Sequence, residues 1–192
     1  MEKLTFDPAT HKYTYDGKEC ISVTQLLKET KFKNKYAGVD QETLATASAK
    51  GTELHEAIEL YETMGLESNE LQEFRDYRFL KKMFKFEVKA AELQVVLPYK
   101  GIIVAGTIDQ VQMLNSALGL ADIKRTATLD KNYLAYQLNL YRLAYIHTYG
   151  ESPAFLRGIH LRDGVRKYVR IPVNEDAAYE ILEEYIGGKL ND

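Results

Sequence analysis

Two aspartates, a lysine, a glutamine and a tyrosine share one short stretch, AGTIDQVQMLNSALGLADIKRTATLDKNYLAYQLNLY, between residues 105 and 141. Asp122 and Lys124 are two apart in a run that reads as a strand. Because side chains alternate faces along a strand, both lie on one surface and Ile123 turns to the other. The run from Ile102 to Met113 is rich in β-branched residues and also reads as a strand. Asn115-Ser116-Ala117 is a turn cluster, and Leu118 to Thr126 reads as the returning arm of a hairpin. Pairing about that turn brings Asp109 within about 4.5–8 Å of Asp122 as a direct or diagonal neighbour. Two carboxylates this close repel unless a cation lies between them. An oxygen-rich pair suits a hard divalent cation such as Mg²⁺ or Mn²⁺. With a lysine on the same face, the chemistry these residues fit is metal-dependent hydrolysis of a phosphodiester.

The elements that must position them follow directly. Asp130 to Tyr145 reads as a helix, with Leu134, Leu138, Tyr141 and Tyr145 at the apolar period. Gln137 and Tyr141 are four apart and share a face of that helix. A glutamine beside an apolar stripe needs polar partners, which an active site or a nucleic-acid backbone supplies. Upstream, Gly51-Thr52-Glu53-Leu54-His55-Glu56 lies within a helix predicted from about Thr46 to Met64. Gly51, four residues before His55, leaves room for close backbone approach on the histidine's face.

Taken in order, G-x-x-x-H-E at 51–56, G-x-I-D at 106–109, D-I-K at 122–124 and Q-x-x-x-Y at 137–141 resemble the PD-(D/E)XK nuclease superfamily, and within it the RecB-like exonuclease branch. The resemblance spans roughly residues 46 to 145. Ile108 stands where the superfamily's label has proline, and Arg125 separates Lys124 from Thr126. The fold it implies is α+β (α/β), a restriction-endonuclease-like αβββαβ core whose mixed central sheet is flanked by helices, with an N-terminal hairpin added. The activity it implies is a metal-dependent DNA nuclease, an exonuclease acting on DNA ends or single strands in recombination, repair or phage DNA processing. The cofactor is Mg²⁺ or Mn²⁺, and the partner is DNA, with a recombinase or single-strand-binding protein as a further one.

By the same resemblance His55, Asp109, Asp122, the carbonyl of Ile123 and Glu92 hold metal. Asp109, Asp122 and Lys124 carry the chemistry, while Gln137 and Tyr141 line the site. Each has a plainer reading. His55 suits a half-buried, satisfied histidine, Glu92 an ordinary glutamate at the start of a strand over Ala91–Leu97, and Lys124 a solvent-facing strand lysine. The alternatives for the whole chain are a non-catalytic nucleic-acid-binding or assembly subunit that keeps the fold, and an endonuclease of the same fold.

Composition bounds these readings. At 192 residues the chain reads as one domain, with an N-terminal hairpin and helix over 1–45 and a catalytic core over 46–192. No stretch approaches the roughly 18 consecutive apolar residues of a membrane span, and the charged start MEKLTFDP is no signal peptide, so a cytoplasmic protein is expected. Cys20 is the only cysteine, which excludes an internal disulfide and a four-cysteine iron–sulfur cluster. A net charge of −3 argues against a uniform DNA-gripping surface, yet basic residues gather in three runs, Lys28 to Lys35, Lys81 to Lys85 and Arg162 to Arg170.

The remaining elements are read from turn and capping signals. Leu4 to Ile21 forms a hairpin about Asp16-Gly17, and Ser22 caps a short helix through Lys28. Glu67-Ser68-Asn69 breaks the Thr46 helix from one over Glu70–Lys85, and Pro98-Tyr99-Lys100-Gly101 turns one strand into the next. Ala154–His160 and Arg166–Val173 form a hairpin about Asp163-Gly164. Asn174 caps a final helix that Gly187-Gly188 ends.

Overall fold

The structure, a computed structural model, describes residues 3–68 and 70–189. Met1 and Glu2 of the charged start and Asn69 of the helix break lie outside the described residues. Three short antiparallel strands open the chain: β1 (Leu4–Asp7), β2 (Lys12–Tyr15) and β3 (Lys18–Ser22). The Ser22 hydroxyl accepts the Gln25 N–H and starts α1 (Val23–Glu29). Two helices follow, α2 (Gln41–Met64) and α3 (Gln72–Phe84), then the hairpin strands β4 (Glu87–Tyr99), β5 (Ile102–Leu114) and β6 (Ala117–Lys124). A crossover helix, α4 (Lys131–Tyr149), leads to β7 (Phe155–Arg162), β8 (Val165–Ile171) and α5 (Glu175–Lys189). The order α2, β4, β5, β6, α4, β7 is the αβββαβ core, with α3 inserted after its first helix.

All eight strands form one mixed sheet in the order β1-β2-β3-β5-β6-β7-β8, with β4 on the other edge of β5. The N-terminal hairpin is thus a three-stranded meander, and its last strand joins the central sheet by parallel pairing of Ile21 with Val104 and Ser22 with Ala105. Farther along the same edge of β5, β6 pairs antiparallel from Gln110–Ala121 to Leu114–Ala117. Between these two ladders, Gly106 to Asp109 has no strand partner on that edge among the described residues. The sheet forks there.

Each face of the sheet is covered by helices. On one, Leu134, Leu138 and Tyr141 of α4 pack with Ile108, Val111 and Leu120, joined by α1 and α5. On the other, Leu54 and Ile58 of α2 and Phe74 and Tyr77 of α3 pack with Ile123, Ile159 and Leu161. Each such side chain, fully buried, contributes about 1.5–3 kcal/mol. Ile108 and Val111 join the first core, whereas Asp109 faces His55 of α2 and Gln110 hydrogen-bonds Tyr77 of α3. Two consecutive residues on one face break the alternation of β5 at Asp109.

Several boundaries differ from the sequence expectation. The second helix begins at Gln41, because the Asp40 carboxylate accepts the Thr43 N–H and caps it ahead of Thr46. The strand expected over Ala91–Leu97 runs from Glu87 to Tyr99, with a register shift between Val88 and Ala90 that hides its alternation. Glu92 is therefore interior to β4. Pro98 and Tyr99 stay in the strand, leaving Lys100-Gly101 as the turn, and Ala117 belongs to β6. Gly187-Gly188 does not end α5, which is anchored by Ile181, Leu182 and Tyr185 and continues to Lys189. Among the described residues, no helix is long and apolar enough to cross a membrane.

Candidate metal centre

The fork creates the site. Register continued from Gln110–Ala121 would set Asp109 opposite Asp122, as the hairpin reading expects. The ladder stops short of that pair. The Ile123 N–H instead donates to Asp109 Oδ2 at 2.6 Å, so a side chain takes the place of a strand partner. The carbonyl of Ile123 accepts from His55 Nε2 at 3.1 Å. A carbonyl only accepts, so Nε2 carries the proton in this contact and the ring presents Nδ1 inward.

His55 Nδ1 lies 3.7 Å from both Glu92 Oε1 and Asp109 Oδ2. That is too long for a hydrogen bond. One ligand atom from each of His55, Glu92 and Asp109 falls within 4.8 Å of the others, and all three residues are partly buried. An imidazole nitrogen and two carboxylates converging without direct hydrogen bonds among them are a donor set that fits a small divalent cation. Glu92 reaches the cluster from a backbone with φ +49°, a left-handed conformation in the middle of a strand.

Asp122 and Lys124 adjoin this cluster on the side of α4. Asp122 is almost wholly buried, and its Oδ2 lies 2.6 Å from Lys124 Nζ, off the axis of a well-aligned hydrogen bond. Burial pushes the Asp122 carboxyl up to about 6, against the pull of Lys124. Burial also raises Asp109, partly offset by His55 and Lys124. Burial alone would lower His55 and Lys124. For His55 the charge of Asp109 and the contact with Glu92 prevail and raise it to about 9, and for Lys124 the charges of Asp122 and Asp109 raise it above the usual lysine value. Three carboxylates face two cations, which leaves one negative charge over.

The structure thus brings His55, Glu92 and Asp109 together, places Asp122 and Lys124 beside them, and uses both backbone groups of Ile123 as the tie. Gln137 and Tyr141 lie behind, both buried. The ring of Tyr141 rests on Gly106, where a Cβ would come within 2.6 Å of Tyr141 Cε1. Its phenol is held well above the usual range by burial and by the charges of Asp122 and Asp109, with Gln137 as its hydrogen-bond neighbour. Gln137 Oε1 has no hydrogen-bond partner. The expectation for Gly51 is corrected: a Cβ there would meet nothing within 4 Å. His55 is oriented by its bond to Ile123, not by close approach over glycine.

Lys35 was visible in the sequence only as one of a basic run. Its Nζ stands 3.1 Å from the centre of the Tyr133 ring and 3.3 Å from Asp130 Oδ2. Burial lowers its pKa, and Lys124 adds to that while Asp130 and Asp122 oppose it. It adds a second lysine to the α4 side of the site. No local signal marks it, because the contact joins the loop after α1 to the start of α4.

No protein-family profile matches the chain, and no curated protein matches it in sequence. Solved structures match in fold. The crystal structure of the protein SSO0001 has a TM-score of 0.50 and 16% identity, covering 88% of this chain and 75% of that one. A protein from Eubacterium rectale, provisionally called an exonuclease, has a TM-score of 0.49 and 12% identity, covering 90% of this chain and 79% of that one. The likeness to SSO0001 speaks for a shared fold and not for a shared activity.

Proposed function

We propose that the chain is a Mg²⁺- or Mn²⁺-dependent deoxyribonuclease that hydrolyses phosphodiester bonds, acting as a cytoplasmic exonuclease on DNA ends or single strands. The observation that most supports this is the convergence of His55, Glu92 and Asp109 within 4.8 Å at a fork of the sheet, beside the Asp122–Lys124 pair. His55 Nδ1, Glu92, Asp109 and Asp122 are the groups that would hold the cation, whereas the Ile123 carbonyl, expected from the sequence as a ligand, sits on the Nε2 edge of the imidazole and orients it instead. When bound, that cation supplies positive charge to the scissile phosphate and acidity to the attacking water.

The chain's own residues do the rest. The Ile123 N–H fixes the Asp109 carboxylate, and the Ile123 carbonyl fixes the imidazole, so two donor groups are pre-set by the backbone of one residue. Asp122 tethers Lys124, whose ammonium then offsets the negative charge that develops as the phosphorane forms. Gln137 and Tyr141, buried behind the carboxylates, hold the α4 side of the site in place.

The test is incubation with end-labelled linear and covalently closed circular single-stranded DNA, with Mg²⁺, Mn²⁺ or chelator, for the wild-type chain and Lys124→Ala. Progressive loss of linear DNA, sparing of circles, silence in chelator and a loss of orders of magnitude in the variant are expected. Circles cut as fast as linear strands would replace exonuclease with endonuclease. Absence of cutting under every metal condition would refute the reading and leave a binding subunit of the same fold.

A further inference from the structure

One groove lies away from the metal-centre carboxylates. A hollow of about 590 Å³ runs between α3, the end of α2 and the start of β4. Arg75, Arg78, Lys82 and Lys85 line it; the spacing of three and four residues sets the first three on one face of α3, and Lys85 follows as its C-cap. From Arg75 to Phe84, its last residue, the helix advances nine residues, about 14 Å at 1.5 Å per residue. At the roughly 3.4 Å per nucleotide of a stacked strand, about four nucleotides cover that length.

Aromatic rings are interleaved with these charges. Tyr61 from α2, Phe79 and Phe86 join the lining, as do Lys81 and one carboxylate, Glu87. Arg78 and Lys81 stand 5.7 and 5.2 Å from the Tyr61 ring centre. Phe79 is 44% exposed, with the Arg166 guanidinium carbon 3.8 Å from its ring centre on one face and the other face left for a ligand, and its neighbour Met83 is 52% exposed. Lysines in the last turn of a helix are ordinary complements to its dipole. That does not account for large apolar side chains left in water next to them. Arg78 pairs with Glu67 and Lys81 with Glu62, whereas Lys82 and Lys85 make no ion pair among the described residues.

We infer that this groove holds a single-stranded nucleic acid outside the metal centre, with the α3 cations following its phosphates and Phe79 offering a face to a base. A charged track with rings at intervals is the arrangement by which single strands are bound without sequence preference. An acidic polypeptide would use the charges and leave the rings idle. A duplex would keep its bases stacked away from Phe79. The choice of nucleic acid over another polyanion leans on the nuclease reading, whereas the groove itself does not. Tyr61 lies six residues beyond His55 on α2, about 9 Å along the helix axis, so the groove and the metal centre share one rigid element.

The test is fluorescence anisotropy with a labelled oligothymidylate of about 20 nucleotides, in chelator so that no cutting intervenes, for the full chain, Lys82→Ala/Lys85→Ala and Phe79→Ala. The double variant should bind on the order of tenfold more weakly, and its salt slope should fall by about 1.4 for two lost phosphate contacts. Phe79→Ala should weaken binding roughly fivefold to a hundredfold with the salt slope unchanged. Thermal melting of each variant checks that it is folded, since all three side chains are at the surface. Wild-type affinity in the double variant would overturn the inference. So would displacement of the probe by polyglutamate as readily as by unlabelled oligonucleotide, or a hairpin duplex that loses as much affinity in Phe79→Ala as the single strand does. A chain that binds through this groove yet cuts nothing would sink the nuclease reading alone, and one that cuts DNA but ignores these substitutions would sink the groove alone.

Discussion

The left-handed backbone at Glu92 can be weighed directly by comparing Glu92→Gly with Glu92→Ala. Both remove the carboxylate, and the Glu92 side chain is 34% exposed, so little packing is lost in either. They differ in the Cβ. At φ +49° a residue with a Cβ pays about 1–2 kcal/mol that glycine does not. In an ordinary strand interior the order is reversed, with glycine worse than alanine by about 0.5–1 kcal/mol. The net expectation is that Glu92→Gly is more stable than Glu92→Ala by roughly 0.5–1 kcal/mol, or about 1–4 °C in Tm for a chain of this length. Urea unfolding in chelator, with equal m-values, measures the difference. Cleavage in Mg²⁺ should fall to the same extent in both, because both lack the carboxylate. A Glu92→Ala protein as stable as Glu92→Gly would refute the claim that strain is stored at this position. Local strain of this kind is tolerated where function requires a side chain to point against the pleat.

Two further perturbations test the packing and the donor set. Gly106→Ala puts a methyl 2.6 Å from the buried Tyr141 ring and should destabilise the chain by about 1–3 kcal/mol, read as a lower urea midpoint; a wild-type midpoint would mean that the ring yields freely. Mn²⁺ at a hundred times its dissociation constant should add about 2.7 kcal/mol to the unfolding free energy of the wild-type chain, and His55→Ala should need a higher Mn²⁺ concentration for the same rise in Tm; an identical titration would remove the imidazole from the donor set.

Much of the core was legible because it is local. The alternation around Asp122 and Lys124, the turn at Asn115-Ser116 and the helical period of Leu134, Leu138 and Tyr141 each lie within one element or one hairpin. The register that aligns Asp109 with Asp122 follows from that turn. What escaped are features that exist only across elements or against local rules. The sequence puts Glu92 at the start of a strand over Ala91–Leu97 because the shift between Val88 and Ala90 breaks the alternation ahead of it. Nothing in the residue type signals a left-handed glutamate. Gly51 had the composition of a close-approach position but faces open space, since a glycine's lack of a side chain is visible in sequence and its neighbours are not. Lys35 looked like one member of a solvated basic run, and its seat over Tyr133 depends on the packing of α1 against α4. The two glycines near the C-terminus read as a stop, yet the anchored stripe of Ile181, Leu182 and Tyr185 carries the helix past them.

The fork also changes what replacement of Asp109 should do. Its carboxylate has two tasks, one toward the cation and one toward the Ile123 N–H, which it accepts at 2.6 Å where the ladder to β6 has ended. Asp109→Ala removes both. It leaves that N–H without its acceptor at a part-buried place, a loss of about 1–3 kcal/mol, partly offset by relief of a buried negative charge. Asp109→Asn keeps an oxygen of the same shape for the Ile123 N–H and removes only the charge. The two variants should therefore be equally poor in cleavage but unequal in stability, with Asn above Ala by about 1 kcal/mol or more in chelator. Urea midpoints in chelator and single-turnover cleavage in Mg²⁺ separate the two tasks. If Ala proved as stable as Asn, the Asp109–Ile123 bond would be incidental, and the geometry of the fork would have to come from the β5 backbone itself.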